Sequence, residues 1–253
     1  MFAGTRLALG LLTVIPVRPP AELTRPVARR AMLLAPIVLL PVTVLAGLVG
    51  WGAVLLGLPA ALAGLVSVAV VVLGTRAMHL DGLADTVDAL GSGKEAEAAL
   101  QIMKAGDVGP MGVVALILVL VGEVVAAGAV VARPWGWLYL AVVVAASRAA
   151  LLFGCLTEVP AARPEGLGAL VAGSVPLFGV IVGWLLAGAA VTAAAIMAAQ
   201  PYWYPISAVV AAALASAVLA MIAIKRFGGI TGDVLGAQIE VAALLLLVGA
   251  TLG

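Results

Sequence analysis

Seven apolar stretches, at residues 31–50, 60–78, 111–132, 136–156, 172–198, 205–224 and 234–252, constrain this chain more than anything else in it. A helix needs about 20 such residues to cross ~30 Å of hydrocarbon. No water reaches the backbone there, so each stretch must satisfy its own peptide groups, and runs of this length do so as helices. Pro59, Pro110, Pro134 and Pro205 punctuate them. The expected fold is all-α: a polytopic integral membrane helical bundle of about seven transmembrane helices, forming one membrane-embedded domain over residues 1–253. Composition agrees. Of the 253 residues 65% are hydrophobic and 10% charged, against roughly 25% charged in a soluble domain. A soluble globule, a disordered chain and a disulfide scaffold are excluded.

Leu7 to Ile15 form a shorter apolar run behind Arg6, followed by Pro16, Val17, Arg18, Pro19 and Pro20. No small-x-small cleavage pattern follows it. The run predicts a short N-terminal interfacial or re-entrant helix.

Cations set the orientation. Arg6, Arg18, Arg25, Arg29 and Arg30 precede the first span. Alternation across seven spans puts residues 79–110, 157–171 and 225–233 on the same side, with Lys94, Lys104, Arg163, Lys225 and Arg226. The opposite connections hold only Arg133. The bias predicts a multi-pass protein of the inner (cytoplasmic) membrane, with its N-terminus and its acidic segments on the cytoplasmic side. A net charge of +1 offers no basic face for nucleic acid. One Cys (Cys155) and one His (His79) exclude a zinc or iron–sulfur centre built from protein ligands. Cys155, within the fourth stretch, reads as packing.

All five aspartates fall on the cation-rich side. Asp81, Asp85 and Asp88 are spaced i, i+4 and i+7 in His79-Leu80-Asp81-Gly82-Leu83-Ala84-Asp85-Thr86-Val87-Asp88. On a helix they stack within about 60° of arc. Like charges so placed repel, and in lipid each would cost about 2.5–3.5 kcal/mol. Such a face must look into a polar cavity holding a counter-cation. Mg²⁺ is the natural candidate, since it takes one or two carboxylates together with phosphate oxygens and water. The plain alternative is a solvated loop helix with no ligand. His79 either orients a phosphate, moves a proton or marks the membrane interface.

Two more segments carry chemistry. Gln101-Ile102-Met103-Lys104-Ala105-Gly106-Asp107-Val108-Gly109 offers a phosphate contact at Lys104 and a further acid at Asp107, or else a surface ion pair. Lys225-Arg226-Phe227-Gly228-Gly229-Ile230-Thr231-Gly232-Asp233 reads as an anion cradle opening a helix, with Asp233 as a plain N-cap the alternative. Within the spans, Glu123 and Arg148 form a candidate structural pair, while Arg148 and Glu240 are candidates for a cavity wall. Gly91-Ser92-Gly93-Lys94 is not a P-loop: Asp88 stands at the first glycine position and Glu95 replaces the Ser/Thr. Gly179 and Gly183 have helix-packing spacing, frequent by chance in a chain with 30 glycines.

Together the first and third segments resemble the cobalamin synthase family, the adenosylcobinamide-GDP ribazoletransferases. The stretch from His79 to Asp88 is similar to the family's most recognisable motif. Gly229-x-Thr231-Gly232-Asp233-x-Leu235-Gly236-Ala237 with Glu240 is similar to its C-terminal signature. Ser147-Arg148, Glu165-Gly166-Leu167-Gly168 and Thr13 to Pro19 also fit, in order and almost end to end, while Ala89 departs from a usual glycine. The resemblance implies a transferase of cobalamin (vitamin B12) biosynthesis, acting on adenosylcobinamide-GDP and α-ribazole or its 5′-phosphate. A ribose hydroxyl attacks the cobinamide-side phosphorus, GMP leaves, and Mg²⁺ is the expected metal. Asp81, Asp85, Asp88 and Asp233 would hold metal, with Asp107 and Glu240 as lesser candidates. Asp85, Asp233, His79 and Lys104 would be catalytic, with Asp233 a ligand or the base for the ribose hydroxyl. Lys104, Arg148, Lys225, Arg226, Thr231 and Gly232 would bind phosphates. A CDP-alcohol phosphotransferase is the enzyme alternative, weakened because Asp85 follows Ala84 where that motif needs Arg. A cation-coupled transporter is the alternative of another class, weakened because its site would lie nearer the midplane.

Overall fold

The computed structural model describes residues 2–253. Among these residues the chain is helical almost throughout, with two isolated β-bridges and no strand. Helix α1 (Phe2–Leu12) is followed by α2 (Arg25–Leu55), α3 (Ala60–Gly74), α4 (Met78–Gly91), α5 (Ala96–Ala105) and α6 (Pro110–Val131). Helix α7 (Gly136–Ala146) runs on through a 3₁₀ turn (Ser147–Ala150) into α8 (Leu151–Gly154). Short α9 (Leu167–Val171) precedes the long helices α10 (Leu177–Met197), α11 (Trp203–Phe227) and α12 (Gly232–Thr251).

Six helical stretches are long and apolar enough to cross a membrane: α2, α6, Gly136–Gly154, α10, α11 and α12. Two of them form the centre of the bundle. Gly136–Gly154 is 78% enclosed and α12 72%, while α6, α10 and α11 turn most of their length outward. Exposed Leu118, Leu185 and Leu214 on those outer helices suit contact with lipid tails. Helix α1 lies along the start of α2, close enough that a Cβ on Gly4 would meet the Cβ of Arg30.

The second apolar stretch departs from expectation. Residues 60–78 do not form one straight span. Helix α3 stops at Gly74, after 15 residues, about 22 Å of rise. The hydroxyl of Thr75 donates back to the Val71 carbonyl at 2.9 Å. Arg76 and Ala77 then adopt left-handed backbone, with φ of 58° and 54°. Helix α4 leaves at 88° to α3, so the two do not continue as one straight crossing. Left-handed non-glycine residues cost about 1–3 kcal/mol each. Tertiary bonds hold them: Arg76 donates to the Gly10 carbonyl and Val14 N–H to that of Gly74.

The two ends of the bundle are tied by different polar contacts. At one end Arg25 and Arg29 of α2 donate to the carbonyls of Gly173 and Ser174, just ahead of α10. At the other, Arg133 donates to the Thr251 and Gly253 carbonyls, and Gln200 joins Tyr139 to the end of α12. The acidic segments share the first end.

Candidate active site

Two small residues set the geometry. Helix α4 crosses the start of α12 at Gly82 and Gly236. A Cβ on Gly82 would lie 2.7 Å from the Asp233 carbonyl oxygen, and one on Gly236 would lie 3.0 Å from that of His79. Glycine here lets the two backbones touch. The crossing brings Asp81 and Asp85 of α4 beside Asp233 in the first turn of α12.

Asp81 and Asp233 line a cleft of about 220 Å³ with Met78, Arg163, Gly166 and Thr231. Thr231 caps α12, its hydroxyl accepting from Val234 N–H at 3.2 Å, and Gly232 completes the wall. The positive end of the α12 dipole therefore points into the cleft. The loop before α9 is pinned to the same place: Ala162 N–H donates to the Ile230 carbonyl and Ile230 N–H to that of Pro160. That loop delivers Arg163, whose Nη1 lies 3.8 Å from Asp233 Oδ2.

Asp85 is buried, 7% exposed. Burial and the charges of Asp81, Asp233 and Asp88 push its carboxyl up to about 6, with Arg163 opposing. Three carboxylates thus face one guanidinium, and the cluster is short of positive charge. Hard oxygen donors in that condition fit Mg²⁺, which usually takes only one or two protein carboxylates and completes its shell with water and phosphate. Among the described residues no three acidic, His or Cys side chains are close enough to enclose a metal by themselves. Asp88 explains part of this. Its two oxygens accept from Gly109 N–H at 2.6 Å and Gly112 N–H at 2.8 Å, fastening α4 to the start of α6.

The other predicted residues disperse. Asp107 is exposed in the loop before α6. Lys104 lines a neighbouring cavity with Glu97, Gln101 and Arg163. Lys225 is exposed at the end of α11, and Arg226 donates to the Lys94 carbonyl at 3.3 Å. Neither lines the cleft. His79, Arg148, Glu240 and Glu123 lie inside the bundle. Arg148 Nη2 faces His79 Nδ1 at 3.4 Å, which makes that nitrogen the acceptor, and His79 Nδ1 is 3.9 Å from Glu240 Oε1. Arg148, Glu123 and Glu240 wall a separate cavity of about 20 Å³, room for one water. Arg163 joins the site from a loop, where the sequence marks it only as one of the orienting cations. Its signal is position, two residues before Glu165-Gly166-Leu167-Gly168.

A membrane-embedded helical bundle with a carboxylate-rich, glycine-backed cleft at one end suits an integral-membrane enzyme. The comparisons make the class specific. A family model described as cobalamin-5-phosphate synthase matches residues 4–251. Adenosylcobinamide-GDP ribazoletransferases are similar over nearly the whole length. The one from Nocardioides sp. is 40% identical, covering 94% of this chain and 93% of its own. That from Frankia casuarinae is 36% identical (100% and 96%), and that from Pseudomonas entomophila 39% (97% and 97%). No solved structure matches the chain significantly. The chain belongs to the cobalamin-5-phosphate synthase family.

Proposed function

We propose that this chain joins adenosylcobinamide-GDP to α-ribazole, or to its 5′-phosphate, giving adenosylcobalamin or its 5′-phosphate and GMP. The supporting observation is the uncompensated trio of Asp81, Asp85 and Asp233 at the crossing of α4 and α12, facing the single guanidinium of Arg163. A diphosphate carries the negative charge that such a trio accepts only through cations.

Two of Asp81, Asp85 and Asp233 would hold Mg²⁺, its usual share of protein carboxylates; Asp88 could add only the lone pairs that its two backbone bonds leave free. The ion would supply neutralisation of charge on the phosphates. The chain's own groups do the rest. Arg163 orients the diphosphate by its charge and by the N–H groups that Leu100 and Asp233 leave free. The start of α12 presents Gly232 and a positive dipole end to the phosphate oxygens. Asp233 Oδ2, at the cleft wall, accepts the ribose hydroxyl proton when it is not engaged as a ligand. Proton removal lets that oxygen attack the cobinamide-side phosphorus in line, while GMP leaves with the bond electrons. His79 acts behind the cleft, tying α4 to Arg148.

The excess of Lys and Arg in the connections at the cleft end supports a cytoplasmic-facing cleft in the inner membrane. Product analysis tests the reading. Purified protein in detergent, with Mg²⁺, adenosylcobinamide-GDP and α-ribazole, should yield a complete corrinoid and GMP in equal amounts. Absence of both, in protein that stays folded, contradicts it.

A further inference from the structure

Beside the aspartate cleft lies a second, larger cavity that the reaction as derived does not use. It is an open groove of about 450 Å³, within the roughly 300–1,000 Å³ of small-molecule sites. One wall is a face of α5, where Glu97, Gln101 and Lys104 follow at i, i+4 and i+7 and so align along about 10 Å of helix. The opposite wall is the loop from Arg163 to Gly166. The two cavities share Arg163, Glu165 and Gly166.

Arg163 is therefore a partition with two faces. Its Nη1 turns to Asp233 at 3.8 Å, while its Nη2 donates to the Leu100 carbonyl of α5 at 2.6 Å. Its Nε is buried with no partner. An unpartnered buried guanidinium N–H is costly unless something accepts from it. Part of the Arg163 side chain stays accessible, so a phosphate at the partition would meet its charge there, and Lys104 stands on the far side to share it.

The chemistry of α5 then selects the occupant. Guanine presents two N–H donors and one carbonyl acceptor along a single edge. A carboxylate accepts both donors at once, and a primary amide one turn away donates to the carbonyl. Glu97 and Gln101 are that pair. The lower base of α-ribazole has no ring N–H to give, and a corrinoid is too large for the space. Resting on the proposed function, we infer that the α5 cavity is the subsite for the leaving nucleotide: Glu97 and Gln101 read the guanine edge, and Lys104 and Arg163 hold the phosphate that departs with it.

Direct binding of GMP and AMP to the full-length detergent-solubilised protein, by calorimetry, tests this without turnover. The wild type should prefer GMP. Glu97→Gln should weaken GMP by about tenfold and abolish the preference over AMP. Lys104→Gln and Arg163→Gln should weaken both nucleotides alike, and Arg163→Lys should recover only part of the loss because the fork is gone. Glu97 and Lys104 lie on an exposed helix face, so their variants keep the test sharp even if Arg163→Gln fails to fold. In turnover, Glu97→Gln should raise KM for adenosylcobinamide-GDP and leave KM for α-ribazole unchanged. Equal wild-type affinity for GMP and AMP, or wild-type GMP binding by Glu97→Gln and Lys104→Gln, overturns the inference. A wild-type chain that makes no corrinoid product overturns the proposed function instead.

Discussion

Gly82 of α4 rests directly on Asp233 of α12: a Cβ added to the glycine would stand 2.7 Å from the aspartate's carbonyl oxygen and 3.0 Å from its Cα. No side chain separates the two helices there, so the positions of Asp81 and Asp85 relative to Asp233 depend on the absence of one methyl group. Gly82→Ala must push the helices apart. A displacement near 1 Å in a reacting constellation costs on the order of 10²-fold in rate. Initial rates of GMP release should fall by about that factor, and a crosslink between cysteines engineered into α4 and α12 should lose efficiency in parallel.

Asp85 offers a prediction of opposite sign for stability and activity. Its carboxyl is pushed up to about 6 from an ordinary 3.8, chiefly by burial and then by Asp81, Asp233 and Asp88. A carboxyl raised on folding binds its proton more tightly in the native state. The contribution of Asp85 to native stability is therefore fully present below about pH 4, is lost as pH rises from there through about 6, and stays lost above that. Asp85→Asn removes the charge, so without Mg²⁺ it should raise Tm at pH 8, and the gain should vanish at pH 4. Thermal unfolding in detergent at the two pH values measures both.

The same carboxyl predicts how metal and protons compete. Mg²⁺ requires the ionised form, so apparent affinity for Mg²⁺ should rise with pH through about 6 and then level. Raising Mg²⁺ should shift the acid limb of the activity profile to lower pH. A profile indifferent to Mg²⁺ concentration would place the controlling group elsewhere.

Asp88 is fastened differently from its neighbours, both oxygens accepting N–H groups at the start of α6. Losing a cap of this kind costs about 0.5–2 kcal/mol. Asp88→Ala should lower Tm accordingly, and Mg²⁺ affinity should fall far less than in Asp85→Asn.

Inside the bundle, Arg148 is 1% exposed and lies between His79, Glu123 and Glu240. Removing one partner from a buried charged group typically costs about 3–5 kcal/mol. Arg148→Met should therefore lower Tm sharply, while Glu123→Gln, which keeps the shape and leaves Glu240 to balance the guanidinium, should cost much less.

Much of this architecture is legible in the sequence because lipid enforces it. A backbone denied water must form helices of near-fixed length, so the long apolar runs and the sorting of cations to one end are readable directly. The break after α3 is not, because Thr75-Arg76-Ala77 contains neither glycine nor proline; its left-handed turn is imposed by contacts with residues 10 and 14, far away in the chain. The i, i+4, i+7 spacing marks Asp81, Asp85 and Asp88 as one helix face. It carries no sign that Asp88 would be engaged by backbone 21 and 24 residues later. Lys225 and Arg226 look like part of a cradle because they precede Thr231-Gly232-Asp233, yet α11 carries them past the cleft. Arg163 looks like any loop cation until the loop is seen bonded to residue 230.

The proposed grip of the α4–α12 carboxylates on a diphosphate runs through divalent cations. GMP release from adenosylcobinamide-GDP and α-ribazole, followed across a Mg²⁺ titration for the wild type and Asp85→Asn side by side, tests it most directly. The wild-type rate should climb to a plateau with Mg²⁺, and the variant, still folded in the membrane, should stay at background throughout. A variant that reaches the wild-type plateau would contradict the account.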